Sequence, residues 1–148
     1  MLTQRLTRYL FCVIILLLTD ILSAADYRCI ISYHPLPFYY SQWSIEVYRE
    51  NENYYIASSN IPDLKRKASL SREEYTDFIK IMNKKGIWRL TGYYQPGSKN
   101  PYYLVSVTDK EFSNTFRIED NASYPGSKYH YREIVRVFQN YAEVFLEK

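Results

Sequence analysis

Past residue 25, few side chains are chemically pointed: one thiol, Cys29, and two imidazoles, His34 and His130. A thiol beside an imidazole and an oxyanion donor would make a cysteine hydrolase. His34, however, lies five residues from Cys29, and along an extended strand an odd separation sends two side chains to opposite faces. A thiol- or His-dependent hydrolase using Cys29 with His34 or His130 is therefore the alternative reading. Zinc needs three or four convergent ligands. His34 stands in Tyr33-His34-Pro35-Leu36-Pro37, and His130 has Glu133 three residues on. Neither forms a local pair with a second His or Cys, so no metal site and no cofactor are expected.

Other nucleophile and phosphate signatures are missing from the sequence. It contains no Gly-x-Ser-x-Gly, and its four glycines (Gly86, Gly92, Gly97, Gly126) do not cluster into a phosphate-cradling loop. The paired carboxylates Glu73 and Glu74 are absorbed by helix capping. No catalytic residue is assigned, and the expected activity is binding.

The candidate binding residues are aromatic. The segment from His34 to Trp43 (HPLPFYYSQW) carries His34, Phe38, Tyr39, Tyr40 and Trp43 between stiffening prolines. Rigid aromatics suit a contact hot spot for a protein or a glycan. Tyrosine is the compositional outlier at 17 residues, often in adjacent pairs such as Tyr54-Tyr55 and Tyr102-Tyr103. In a strand each pair sends one ring to either face. Cys29 shares strand parity with Tyr27, Ile31 and Tyr33, which places the thiol on an apolar face; the alternatives are a free reactive thiol or an intermolecular disulfide. Asn121-Ala122-Ser123 is an N-glycosylation sequon, relevant only for a eukaryotic source.

The address comes from the N-terminus. Arg5 and Arg8 precede an uncharged apolar run from Tyr9 to Thr19, and small residues follow at Ser23-Ala24-Ala25. This is the order of a secretory signal peptide, residues 1–25, with cleavage after Ala25. The run is 11 residues long, whereas a membrane-spanning helix needs roughly 20. An uncleaved segment, and with it a membrane-anchored structural protein, is the alternative. The expected location is periplasmic or secreted. Residues 26–148 then form one domain with 17 basic and 15 acidic residues. That mild balance gives no nucleic-acid footprint. Lys65-Arg66-Lys67 reads as a solvated loop before a helix.

These side chains must be positioned by strands and two helices. Tyr27–Tyr33 alternates like a strand. Trp43–Tyr48 and Tyr54–Ser58 form a hairpin around Glu50-Asn51-Glu52-Asn53. Tyr103–Thr108 and Phe112–Glu119 form a second around Asp109-Lys110-Glu111, with Phe112, Asn114, Phe116 and Ile118 on one face and Ser113, Thr115, Arg117 and Glu119 on the other. Ser71-Arg72-Glu73-Glu74 is a capping box. It leads into the stripe Tyr75, Phe78, Ile79, Met82, and Gly86 is the C′ stop. A last helix runs from about Tyr129 to Leu146. Trp88–Tyr94 is a short strand or an extended connection. Hairpin then helix, twice, predicts an α+β two-layer sandwich: an antiparallel sheet of about 4–6 strands with two helices on one face.

Overall fold

The computed structural model describes residues 27–35, 42–60, 64–92, 99–120 and 128–147, without the side chains of 64 and 128–130. The readings made for residues 1–25, for Phe38, Tyr39 and Tyr40, and for Asn121 lie outside the described residues.

Six strands form one antiparallel sheet: β1 (Arg28–His34), β2 (Trp43–Glu50), β3 (Asn53–Asn60), β4 (Leu64–Leu70), β5 (Tyr102–Thr108) and β6 (Ser113–Glu119). Their spatial order is β4-β3-β2-β1-β5-β6. Two helices, α1 (Arg72–Lys84) and α2 (Lys128–Leu146), complete an α+β arrangement. The register lines up the apolar positions in rows. Cys29 faces Val47 and Val107, Val47 faces Ile56, and Ile31 faces Ile45 and Val105. These side chains are buried, and they share one hydrophobic cluster with Tyr75, Phe78 and Met82 of α1 and Ile134 and Phe138 of α2. The two helices meet through Phe78 and Phe138, edge to face at 5.3 Å between centroids, a geometry that adds about 0.5–1.5 kcal/mol to simple burial.

β4 corrects the reading of Lys65-Arg66-Lys67 as a loop: all seven residues from Leu64 to Leu70 pair with β3. An edge strand needs no continuous apolar face, and lysines on it discourage pairing with another chain. Lys65 and Lys67 are exposed there. The β2–β3 connection is tighter than a four-residue turn. Glu50 pairs with Asn53, and Asn51 and Glu52 both take positive φ (48° and 67°), the pattern of a two-residue type I′ hairpin. A second correction concerns Phe112. It falls outside β6, is 65% exposed, and closes a turn in which Asp109 Oδ1 accepts the amides of Glu111 and Phe112.

Helix α1 is capped as its sequence requires. The Glu74 amide donates to Ser71 Oγ, and the Ser71 amide donates back to the Glu74 carboxylate. At the other end Ile87 N–H reaches Met82 C=O and Gly86 N–H reaches Asn83 C=O, the paired bonds of a Schellman stop. Gly86 sits at φ 72°, and Ile87 folds back into the core with no exposed surface.

The chain after this stop lies against β6 without becoming a strand, which resolves the Trp88–Tyr94 reading for its described part. Asn114 Nδ2 donates to the carbonyls of Ile87 and Leu90. Gly92, at φ 77°, has its backbone so close to Arg117 that an added Cβ would meet Arg117 O at 2.6 Å and N at 2.8 Å. Gly92→Ala combines a left-handed backbone with a clash against main chain, so it should lower unfolding free energy by about 2 kcal/mol or more. Urea denaturation checks this; an unchanged midpoint would contradict the contact.

Candidate functional site

The sheet parity separates the candidate residues. Cys29 is free, completely buried on the apolar side and surrounded by core. Burial pushes its thiol pKa up, only partly offset by the neighbouring Tyr27 hydroxyl, so the reactive thiolate is disfavoured. His34 lies at the opposite parity, and the two do not come together. His130 falls in the first turn of α2 and its side chain is not described. Among the described residues no group of three or more His, Cys, Asp or Glu is placed to hold a metal ion.

His34 is held on the polar face of the sheet. Its Nε2 lies 3.0 Å from Ser32 Oγ and its Nδ1 3.4 Å from Gln42 Nε2. With the Gln42 amide donating to Nδ1, the ring carries its proton on Nε2 and donates it to Ser32. Tyr102 stacks on the imidazole at 4.7 Å, and the Arg117 guanidinium sits 3.8 Å from the same tyrosine ring. Burial, and then the positive charge of Arg117, lower the His34 pKa from 6.5. Arg117 also approaches Glu119 (3.6 Å), which accepts from Asn100. Glu119 was expected to face outward with Arg117. It is buried instead, at the paired end of β6 opposite Tyr102, and nothing in the local sequence signals this.

Adjacent tyrosines divide between the faces. Tyr54 packs on buried Tyr75 (4.6 Å), while Tyr55 meets Tyr48 (5.6 Å) on the polar face. Tyr103 joins Tyr33 and Trp43, while Tyr102 stacks on His34. On the polar face the two aromatic sites among the described residues are already occupied by the chain's own cations. Lys67 Nζ stands 3.7 Å from the Tyr55 ring centre and 5.4 Å from Tyr48, tied to Glu50 at 3.1 Å. Arg28 lies over Tyr48 and pairs with Glu46.

Trp43 is different. It belongs to the apolar parity, at the end of the sheet where β2 begins and β1 ends. Its ring stacks on Tyr33 at 5.7 Å and meets Tyr103 edge-on at 6.0 Å. This braced indole, half-buried, opens onto a cleft of about 590 Å³ walled by β2, β3 and β4 on one side and the C-terminal half of α2 on the other. Ser58, Asn60 and Arg66 come from the strands; Gln139 and Glu143 come from the helix. Arg66 also donates to the last helical carbonyl, Leu146 O, at 3.5 Å. A smaller cavity of about 270 Å³ adjoins it beside Tyr103, Asp120, Arg132 and Arg136, and Gln139 lines both. Burial first, then Asp120 and Tyr33, push the Tyr103 pKa up to about 12, so its hydroxyl keeps its proton near neutrality.

Of the aromatic residues singled out in the sequence, the structure thus places Trp43 in the cleft and His34 on the other face. Arg66, Asn60 and Gln139 were missed, because their convergence depends on β4 being a strand and on α2 lying across its end. No protein-family model matches this chain, and no curated protein is detectably similar to it.

Two measurements check this description. In the folded protein Cys29 should resist iodoacetamide near neutral pH and label on denaturation; rapid labelling of the native form would contradict its burial. An NMR titration of the His34 ring should give a midpoint below 6.5. Its folded pKa is depressed, so the unfolded chain binds the proton first. The stability owed to neutral His34 is complete above about pH 6.5 and declines as pH falls toward the lower folded value. A midpoint at or above 6.5 would contradict the Arg117 contact.

Proposed function

We propose that this protein is a small exported, non-catalytic binding domain, with both helices covering the apolar face of the sheet and the ligand held in the Trp43 cleft. The single observation that carries the reading is the braced indole opening on a cleft of about 590 Å³, a size usual for small-ligand sites. The described aromatic clusters of the polar face are already filled by Lys67, Arg28 and Arg117, which makes them less suited than Trp43 to an outside partner. The layering is supported by contacts from both helices to apolar-parity positions: Tyr75 to Tyr54, and Tyr131 to Phe116. Export is supported by the order Arg5 and Arg8, apolar run, Ser23-Ala24-Ala25.

Burial of Cys29 away from His34 counts against a thiol hydrolase built on that pair. The anchored alternative depends on the N-terminal segment staying in place.

The test joins mass and stability. Protein recovered from its host should have the mass of a chain starting at Asp26; a full-length mass would contradict cleavage. In a thermal-shift panel of saccharides, short peptides and organic acids, at least one compound should raise the Tm by several degrees. A ligand at 100 times its Kd adds about 2.7 kcal/mol. Trp43→Ala should remove the shift, and a panel without any shift would contradict the binding role.

A further inference from the structure

We infer that the Trp43 cleft takes a neutral saccharide, a conclusion that rests on the binding reading above and names its ligand class. The argument is one of complementarity. The walls offer a flat indole braced from behind by Tyr33 and Tyr103. Around it stand groups that both donate and accept: the Ser58 hydroxyl and the amides of Asn60 and Gln139. Arg66 adds donors, and Glu143 adds acceptors.

Three ligand classes fit this lining poorly. An alkyl or lipid chain would leave the amides and the hydroxyl desolvated without partners, which is costly. An anion would find one guanidinium, already shared with the Leu146 carbonyl, in a cleft also lined by Glu143 and Glu147. A cation would meet Arg66. One guanidinium stands against two carboxylates, a slight negative excess that further disfavours an anion. A sugar ring matches what is present, because its C–H face packs on the indole while each hydroxyl gives and takes one hydrogen bond. The cleft is open to solvent rather than enclosed, so a bound chain can extend beyond it. The adjoining cavity past Gln139 gives a second ring a place beside Tyr103, in a more charged lining that includes Asp120, Arg132 and Arg136. Gln139 lines both cavities and therefore stands where two successive rings would meet.

The full chain carries two tryptophans, Trp43 and Trp88. Trp88 lies apart from the cleft, bonded to Asn83 and edge-on to Tyr27. In a Trp88→Phe background Trp43 becomes the sole indole reporter. Fluorescence and calorimetric titration with cellotriose, maltotriose, mannotriose and chitotriose should give a saturable Trp43 change with at least one of them. Gln139→Ala and Asn60→Ala alter exposed side chains, should leave the Tm in place, and should each weaken that affinity at least tenfold.

A Trp43 response to peptides, organic acids or alkyl probes but to no neutral saccharide would overturn the ligand class and leave the binding reading standing. Saccharide binding that ignores Trp43, Gln139 and Asn60 would overturn the location. No response to any probe would overturn both.

Discussion

One seven-residue strand joins the two halves of this sheet. β1 pairs with β2 along one edge and with β5 along the other, and in the strand order no other strand links the first group to the second. Its buried residues, Cys29 and Ile31, have no solvent contact. They stand at the centre of the rows that run from Val47 and Ile45 to Val107 and Val105. With Cys29 free, cohesion rests on this packing and on the doubly paired backbone. Such a position requires alternation in the sequence, because one face must be apolar while the other carries Ser32 and His34. The same alternation keeps the thiol and the imidazole apart. The constraint that builds the fold thus also disfavours a Cys–His centre.

The remaining backbone liabilities lie at the two outer strands, and the chain handles them differently. At β6 the connection after α1 runs alongside, pinned by Asn114 to two carbonyls and admitted by the absence of a side chain at Gly92. At β4 nothing comparable is described; Lys65 and Lys67 instead place charge beside the free edge. Lys67 has a second role, since its ammonium fills the notch between Tyr48 and Tyr55. A cation is drawn to the negative face of a tyrosine ring, so these two rings of the polar face have a partner within the chain. Among the described residues no cation fills the cleft on the other side beside Trp43 in this way.

Helix α1 shows how completely local chemistry can specify an element. Ser71 and Glu74 cap it and Gly86 with Ile87 ends it, each through bonds between residues no more than five apart, and the apolar stripe between them sets which face is buried. Its tertiary attachment adds directional bonds, from the Tyr75 hydroxyl to Tyr27 O at 2.6 Å and from the Tyr141 hydroxyl of α2 to Glu74 O at 3.3 Å. The burial of Tyr75 raises the pKa of its hydroxyl and keeps it a donor.

What the sequence determined by itself was every element whose signal is local. The alternation of β1, β2, β3 and β5, the period and caps of α1, and the stripe of α2 follow from spacing, because hydrophobic periodicity and capping act within a few residues. β4 escaped because an edge strand carries charge where a central strand carries apolar side chains, so Lys65-Arg66-Lys67 resembles a loop. Glu119 escaped because its burial depends on Asn100 and Arg117 closing around it. The candidate site was half legible: Trp43 stood out as an aromatic, but Asn60, Arg66 and Gln139 are ordinary polar residues in a linear reading. Only the tertiary structure brought them together, by pairing β4 to β3 and setting the end of α2 across both. A cleft is a relation between elements far apart in the chain, and no local pattern encodes that relation.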